Sequence, residues 1–255
     1  MADYLRLRQI CLAASELESA IADISAVFGL KIAHRDPQVA SFGVTNALLV
    51  AGTTFIEVIS PIQKATAAGR FIDRTEGRGG YIALFDCPDP KPREAHANAI
   101  GVKTAFKIDR PGSYHCIQLH PGDCRATMLE FDHSEGGDDV LGAYSPAGGN
   151  GWQAMIDTHQ TLDVLAIEAV SPNPADLAAH WSKILERPVE AGPVPRITVD
   201  NAEIRFRHHP DRDRLETIVL DVVDQEAAMA EARLRGCAVS DREALIAGMI
   251  FRCGN

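Results

Sequence analysis

The 255-residue chain is long enough for one large or two small domains, and with 46% apolar residues it can build ordinary cores. Its 25 Lys and Arg stand against 35 Asp and Glu, and the net charge of −10 excludes a nucleic-acid partner, because phosphate backbones are bound by clustered basic side chains. No apolar run reaches about 18 residues, so no membrane partner is expected, and the opening MADYLRLRQI lacks the apolar stretch of a signal peptide, so a cytoplasmic protein is expected.

Residues Leu5 to Ala14 read as a buried strand. From Glu16 to Phe28 the spacing becomes helical, with Leu17, Ile21, Ile24 and Phe28 on one face, Ser15 as N-cap and Gly29 as the stop. Strands follow at Lys31–His34, Ala47–Ala51 and Thr54–Ile59, punctuated by Gly43 and Gly52. The polar stretch 62–80 reads as a connection. The same β-α-β-β-β order then returns: a strand at Tyr81–Phe85, a helix at Arg93–Ile100, and strands at Lys103–Ile108, Tyr114–Leu119 and Thr127–Phe131.

After Asp132 the run HSEGGDDVLGAYSPAGGNGW is rich in Gly, Pro and Asp and marks a linker or a long surface loop. From Leu162 the pattern restarts in shorter form, with a strand at Val164–Val170, a helix at Ala175–Leu185 and strands at Arg196–Val199 and Glu203–Arg207. A fourth copy has a strand at Thr217–Val222, a helix at Gln225–Arg235 and a last strand at Met249–Cys253. The six cysteines form no C-x-x-C pair and read as reduced and mostly buried.

The spacing of acids gives the best clue to function. FIEVISP, carrying Glu57, recurs as MLEFDHS, carrying Glu130, and the two glutamates lie 48 and 49 residues after Gln9 and Tyr81. A repeat that carries a carboxylate at the same point of two copies implies one shared, two-fold-related site.

The four modules, together with the strings RQICLAA, FGVTNALLVAGTTFIEVISP, TAAGRFIDRTEGRGGYIALFD and IQLHPGDCRATMLEFD, resemble the vicinal oxygen chelate superfamily in its glyoxalase-like branch. The resemblance covers residues 5–133 well and 162–253 weakly. It implies an α+β fold in which paired modules curl into open, cup-shaped sheets. The division it suggests is an N-terminal domain over 1–135, a linker over 136–160 and an abbreviated C-terminal domain over 161–255. It also implies a metal site on the first and last strands of each module. Glu57 and Glu130 match its metal-binding glutamates and Gln9 matches a glutamine used by some glyoxalases, whereas Tyr81 stands where a histidine is expected.

Two readings of the cup remain open. Oxygen donors suit a hard ion such as Mg²⁺ or Mn²⁺, with Ni²⁺ or Zn²⁺ as further candidates, and such an ion bound by Gln9, Glu57 and Glu130 would polarise a substrate carbonyl. Alternatively the same residues form a metal-free polar pocket with no cofactor. The expected function is a lyase or isomerase acting next to a carbonyl, with Glu57 and Glu130 as proton-transfer groups. The alternative is a protein that sequesters a small molecule without turnover. Extradiol dioxygenase chemistry needs two histidines, which neither pair of modules offers.

His120, in QLHPGD just past a strand, is a candidate at the mouth, and His115 would point to the opposite face. Asn46 and Arg70, in strings matching the glyoxalase-like branch, join Gln9 and Tyr81 as substrate-binding candidates, and Arg70 or Arg125 would hold an anionic group. His208 and His209 are adjacent on a strand and cannot chelate together. In the second pair of modules Leu165 and Phe206 stand at about the positions of Gln9 and Glu57, so no second active site is expected there. That half would cover the first cup, or form an intrachain or subunit interface, the last making a homodimer.

Overall fold

Alternation within the strands gathers them into two mixed sheets in the computed structural model, which describes residues 4–149 and 151–254. The first sheet contains β1 (Arg6–Ala13), β2 (Lys31–His34), β3 (Val44–Ala51), β4 (Thr54–Pro61), β5 (Ile82–Asp86), β6 (Thr104–Arg110), β7 (Tyr114–Leu119) and β8 (Met128–Ser134). Their order is β2-β3-β4-β1-β5-β8-β7-β6, with β1 parallel to β4, β5 parallel to β8, and β1 antiparallel to β5 at the centre. The second sheet repeats this plan with β9 (Thr161–Ser171), β10 (Val189–Glu190), β11 (Arg196–Thr198), β12 (Glu203–His208), β13 (Arg214–Val222), β14 (Glu243–Ile246) and β15 (Met249–Gly254), in the order β10-β11-β12-β9-β13-β15-β14. The α+β, cup-sheeted architecture read from the repeats is the one observed.

Six α-helices among the described residues join these strands: α1 (Leu17–Phe28), α2 (Ala67–Thr75), α3 (Pro90–Ala99), α4 (Pro121–Cys124), α5 (Pro174–Leu185) and α6 (Gln225–Leu234). Glu16, not Ser15, holds the N-cap position of α1, and its side chain makes no cap hydrogen bond. The stretch 62–80 is not a bare connection, since α2 forms within it behind Thr66, whose hydroxyl accepts the Gly69 N–H.

One apolar layer serves both sheets. The core-facing residues of β1 (Leu7, Ile10, Leu12), of β9 (Ile167, Ala169) and of β15 (Phe251) lie in the same cluster as Phe28 of α1, Trp181 of α5 and Met229 of α6. Phe28 stacks on Phe251 at 5.4 Å across the domain boundary. The sheets therefore pack back to back through their helices, and their concave faces look outward. The second half does not cover the first cup; it makes an intrachain interface.

Two insertions cover the first cup. On one side α2 packs Ala68, Phe71 and Ile72 over Cys11, Ala13 and Ile59. On the other, the Gly-rich segment read as a linker sends Tyr144 and Trp152 into the sheet, each with its ring centroid 5.0 Å from Phe55. The Arg8 guanidinium lies over both rings, at 4.8 Å and 5.0 Å.

Candidate functional site

A β-bulge sets the site's floor. The pairing of β1 with β5 steps from Leu7↔Phe85 to Gln9↔Leu84, leaving Arg8 as the extra residue. Leu7 and Ile10 face the helices, so the two residues between them, Arg8 and Gln9, both turn to the cup, which strict alternation would forbid. Glu57 on β4 pairs with Cys11, and Glu130 on β8 pairs with Leu84 and Gln118. Each carboxylate thus rises from the cup face on either side of the central β1–β5 pair.

A chain of hydrogen bonds links them. Glu57 accepts the Gln9 amide at 2.8 Å and the Asn46 amide at 2.6 Å. The Gln9 carbonyl lies 3.2 Å from the Tyr144 hydroxyl, which is also 3.2 Å from Asp132 Oδ2. Asp132 Oδ2 is 3.4 Å from the Tyr114 hydroxyl, itself 3.2 Å from Glu130 Oε1, while the Gln118 amide donates to Glu130 Oε2 at 2.7 Å. Two phenol protons serve four contacts, so two further protons, one retained on Asp132 and one on Glu130, would complete the chain.

The electrostatic surroundings of the three carboxyls agree with that requirement. Burial pushes Glu130 up to about 7, against the pull of Gln118 and Tyr114, and the Glu57 charge adds to the rise. Burial likewise raises Glu57, opposed by its bonds from Asn46, Cys11 and Gln9. Asp132, fully enclosed and beside Glu130 and Asp86, lies well above the usual carboxylate range, with Arg8 only partly opposing.

Of the sequence candidates, the structure brings together Gln9, Asn46, Glu57 and Glu130. Tyr81 is not in the network. It precedes β5, packs its ring against Phe71 at 5.1 Å, and donates no hydrogen bond to either glutamate among the described residues. The counterpart of Gln9 is its neighbour: Cys11 faces Glu57 as Leu84 faces Glu130, so two residues before Leu84 stands Ile82. His120 is also outside, since its half-exposed ring lies 3.9 Å from Asp123 at the start of α4. Arg70 binds Ala65 O from exposed α2, and Arg125 bridges Asp176 and Asp213 of the second half.

Sequence reasoning missed Asp132, Tyr114, Gln118 and Tyr144. Alternation would have found Asp132, two residues beyond Glu130 on one strand. The second half also needs a correction, because Phe206 faces the helix core and Arg205, one residue earlier, takes the cup-facing position.

The rim is aromatic. Phe106, Ile108 and Arg110 of β6 pair with Gln118, Cys116 and Tyr114 of β7 and so share the cup face. Phe106 meets Phe42 edge-on at 5.5 Å, and the Arg110 guanidinium donates to Gln38 at 2.9 Å, which joins the two outer edges of the cup. Half-buried Gln118, Met128 and Tyr81 lie inside that rim.

These residues do not fit the divalent ion that the resemblance implies. Both oxygens of Glu57 are engaged by amide N–H groups, Gln9 turns its nitrogen rather than its oxygen to the carboxylate, both oxygens of Glu130 are engaged by Tyr114 and Gln118, and the fourth ligand position is the alkyl Ile82. No group of three or more His, Cys, Asp or Glu among the described residues is arranged to hold a metal ion.

Residues 10–185 match the model of the glyoxalase-like domain family. Among solved structures, a hypothetical protein from Staphylococcus aureus is similar over 98% of this chain and 98% of its own, with a TM-score of 0.67 at 13% identity, a likeness of fold alone. A methylmalonyl-CoA epimerase in complex with methylmalonyl-CoA and NH4+ is similar over 51% of this chain and 95% of its own, at 21% identity and a TM-score of 0.46. A hypothetical protein from Bacillus halodurans C-125 is similar over 50% and 93%, at 21% identity and a TM-score of 0.45. No curated protein matches the chain.

Proposed function

Because the chain belongs to the glyoxalase-like domain family, with the two-sheet vicinal-oxygen-chelate fold, we propose that its N-terminal cup is the active centre of a metal-independent lyase or isomerase that moves a proton next to a carbonyl. The observation that carries this reading is the pair of buried glutamates from the two modules, both raised, one of them to about 7, and joined by one hydrogen-bond chain. A carboxyl that titrates near neutrality is matched to take and return a proton at physiological pH.

In this mechanism a substrate enters past Phe42 and Phe106 and lays its acidic carbon against Glu130. Glu130 takes the proton, and the amide of Gln118, already 2.7 Å from that carboxylate, is placed to donate to the developing enolate oxygen. Glu57 returns a proton from the other module in an isomerisation. In an elimination it assists the leaving group. Gln9, Tyr144, Asp132 and Tyr114 pass the change in charge between the two carboxyls as a shift of shared protons. Arg70 and Arg110, at the exposed rim, would receive an anionic end of the substrate.

The test is α-proton exchange in D₂O across a panel of 2-oxo acids and acyl thioesters, read by NMR. A substrate should exchange with the native protein and lose about 10²-fold or more in rate in Glu130→Gln. Equal exchange in the variant would overturn the assignment. A second reading, sequestration of an aromatic ligand without turnover, is favoured by the apolar rim of Phe42, Phe71 and Phe106. It predicts ligand affinity that neither Glu57→Gln nor Glu130→Gln alters, and no exchange.

A further inference from the structure

The second sheet repeats the first with its charges reversed. In the first, Cys11 pairs with Glu57, and Leu84, two residues beyond Cys11's partner Ile82, pairs with Glu130. In the second, Glu168 of β9 pairs with Arg205 of β12, and Val219, two residues beyond Glu168's partner Thr217, pairs with Arg252 of β15. Arg205 and Arg252 therefore occupy the register positions of Glu57 and Glu130, with Glu168 in place of Cys11. Both sheets even carry a bulge beside the site, at Arg8 and at Glu216.

Three guanidinium groups gather on Glu168. Arg252 Nη1 and Arg207 Nε lie 2.6 Å and 2.9 Å from its Oε2, and Arg205 Nη1 lies 3.9 Å from its Oε1. The carboxylate is 1% exposed, whereas the Arg252, Arg205 and Arg207 side chains are 25%, 28% and 43% exposed, so this face opens to solvent where the first cup is covered. Arg252 and Arg205 also hold Glu243 and Glu203 at 2.7 Å and 2.8 Å.

The unused capacity is specific. Buried Glu168 Oε1 and the buried Thr217 hydroxyl, opposite one another on β9 and β13, have no hydrogen-bond partner among the described residues. Among the described residues Arg207 pairs with no acid other than Glu168, and its terminal N–H groups make no hydrogen bond. A free guanidinium fork takes an oxyanion, an unpartnered carboxylate oxygen takes a hydroxyl proton, and a threonine hydroxyl donates back to the same group. A surface ion network formed for stability alone leaves no reason for two enclosed polar atoms to stay unpartnered at its centre.

We propose that this outward face is a second binding site, for a small hydroxy acid whose carboxylate or phosphate sits on Arg207 and Arg205 and whose hydroxyl reaches Glu168 and Thr217. The site is independent of the proton chemistry in the first cup. Its ligand is a small acid held apart from that cup.

Isothermal titration with glycerate and glycerol 3-phosphate, each beside its deoxy analogue propionate or propyl phosphate, tests the assignment and separates carboxylate from phosphate. At least one hydroxylated acid should bind about tenfold more tightly than its analogue. Arg207→Ala, a change at an exposed side chain, should weaken that binding at least tenfold. Glu168→Gln should abolish the preference for the hydroxyl, and Glu130→Gln should leave the affinities at this second face unaltered. Absence of binding by both acids, equal affinity in Arg207→Ala, or an equal loss in Glu130→Gln would each overturn the proposal.

Discussion

Tyr144, from the segment between the sheets, places its hydroxyl 3.2 Å from the carbonyl oxygen of Gln9 on the first strand. That contact ties an insertion to the repeated scaffold and connects the Glu57 half of the network to the Asp132 half. Tyr144→Phe keeps the stacking on Phe55 but removes the bridging proton. The variant should lose on the order of 1 to 2 kcal/mol, read from its urea midpoint, because Gln9 and Asp132 are left short of a buried donor. Any exchange activity should fall while affinity at the rim is kept.

The pH dependence of stability follows from Glu130. Its carboxyl ionises near 4.5 in the unfolded chain and near 7 in the fold. Between those values the native state holds a proton that the unfolded state has released, so stability is greatest below the window and falls as pH rises through it. Glu130→Gln should flatten that fall by on the order of 2 to 3 kcal/mol. Some slope should remain, because Glu57 and Asp132 are raised too. Denaturant midpoints of both proteins across the window check it. In the reaction, kcat/KM should rise with an apparent pKa near 7 as Glu130 becomes the free base.

Metal binding offers a contrast between two adjacent residues. The native protein should bind Mn²⁺, Ni²⁺ and Zn²⁺ weakly, since the glutamate oxygens are taken by amides and a phenol. Ile82→His restores an imidazole at the register position of Gln9 and should increase Ni²⁺ or Zn²⁺ affinity, whereas Tyr81→His should not. Titration calorimetry on the two variants decides it. A gain in Tyr81→His alone would refute the register assignment.

Gly248 of the second half packs against the backbone of Gly77 to Gly79 in the first. Its carbonyl accepts the Gly79 N–H at 2.9 Å, its φ is +76°, and a Cβ there would come within 1.6 Å of the Gly77 carbonyl oxygen. Gly248→Ala should cost on the order of 2 kcal/mol or more, visible as a lower Tm.

The repeat was legible because strands and helices announce themselves by different periods, and the glutamates stood out as carboxylates in otherwise apolar strands. What was lost was lost to parity. Choosing Tyr81 over Ile82, and Phe206 over Arg205, is in each case an error of one residue, and on a strand one residue is the whole difference between floor and core. The bulge at Arg8 adds a shift that no composition reveals. Helix α2 hid behind a polar, Gly-containing stretch because a short helix resting on one cup needs only Ala68, Phe71 and Ile72 to be apolar. Tyr144 and Trp152 were disguised by their Gly-rich surroundings, although a tryptophan and a tyrosine so near each other are unusual in a segment meant only to span a gap.

The layer of helices shared by both sheets makes neither half an independent lodger. A fragment cut in the segment before Thr161 would strip the first sheet of partners for Phe28 and the second of partners for Phe251, and each would present a wall of bare aliphatic side chains to water. Duplication here produced a single unit with two outward fronts. One front could keep its acids while the other exchanged them for arginines, because the partition that supports both is largely apolar and its buried Arg93 is already matched by Glu186.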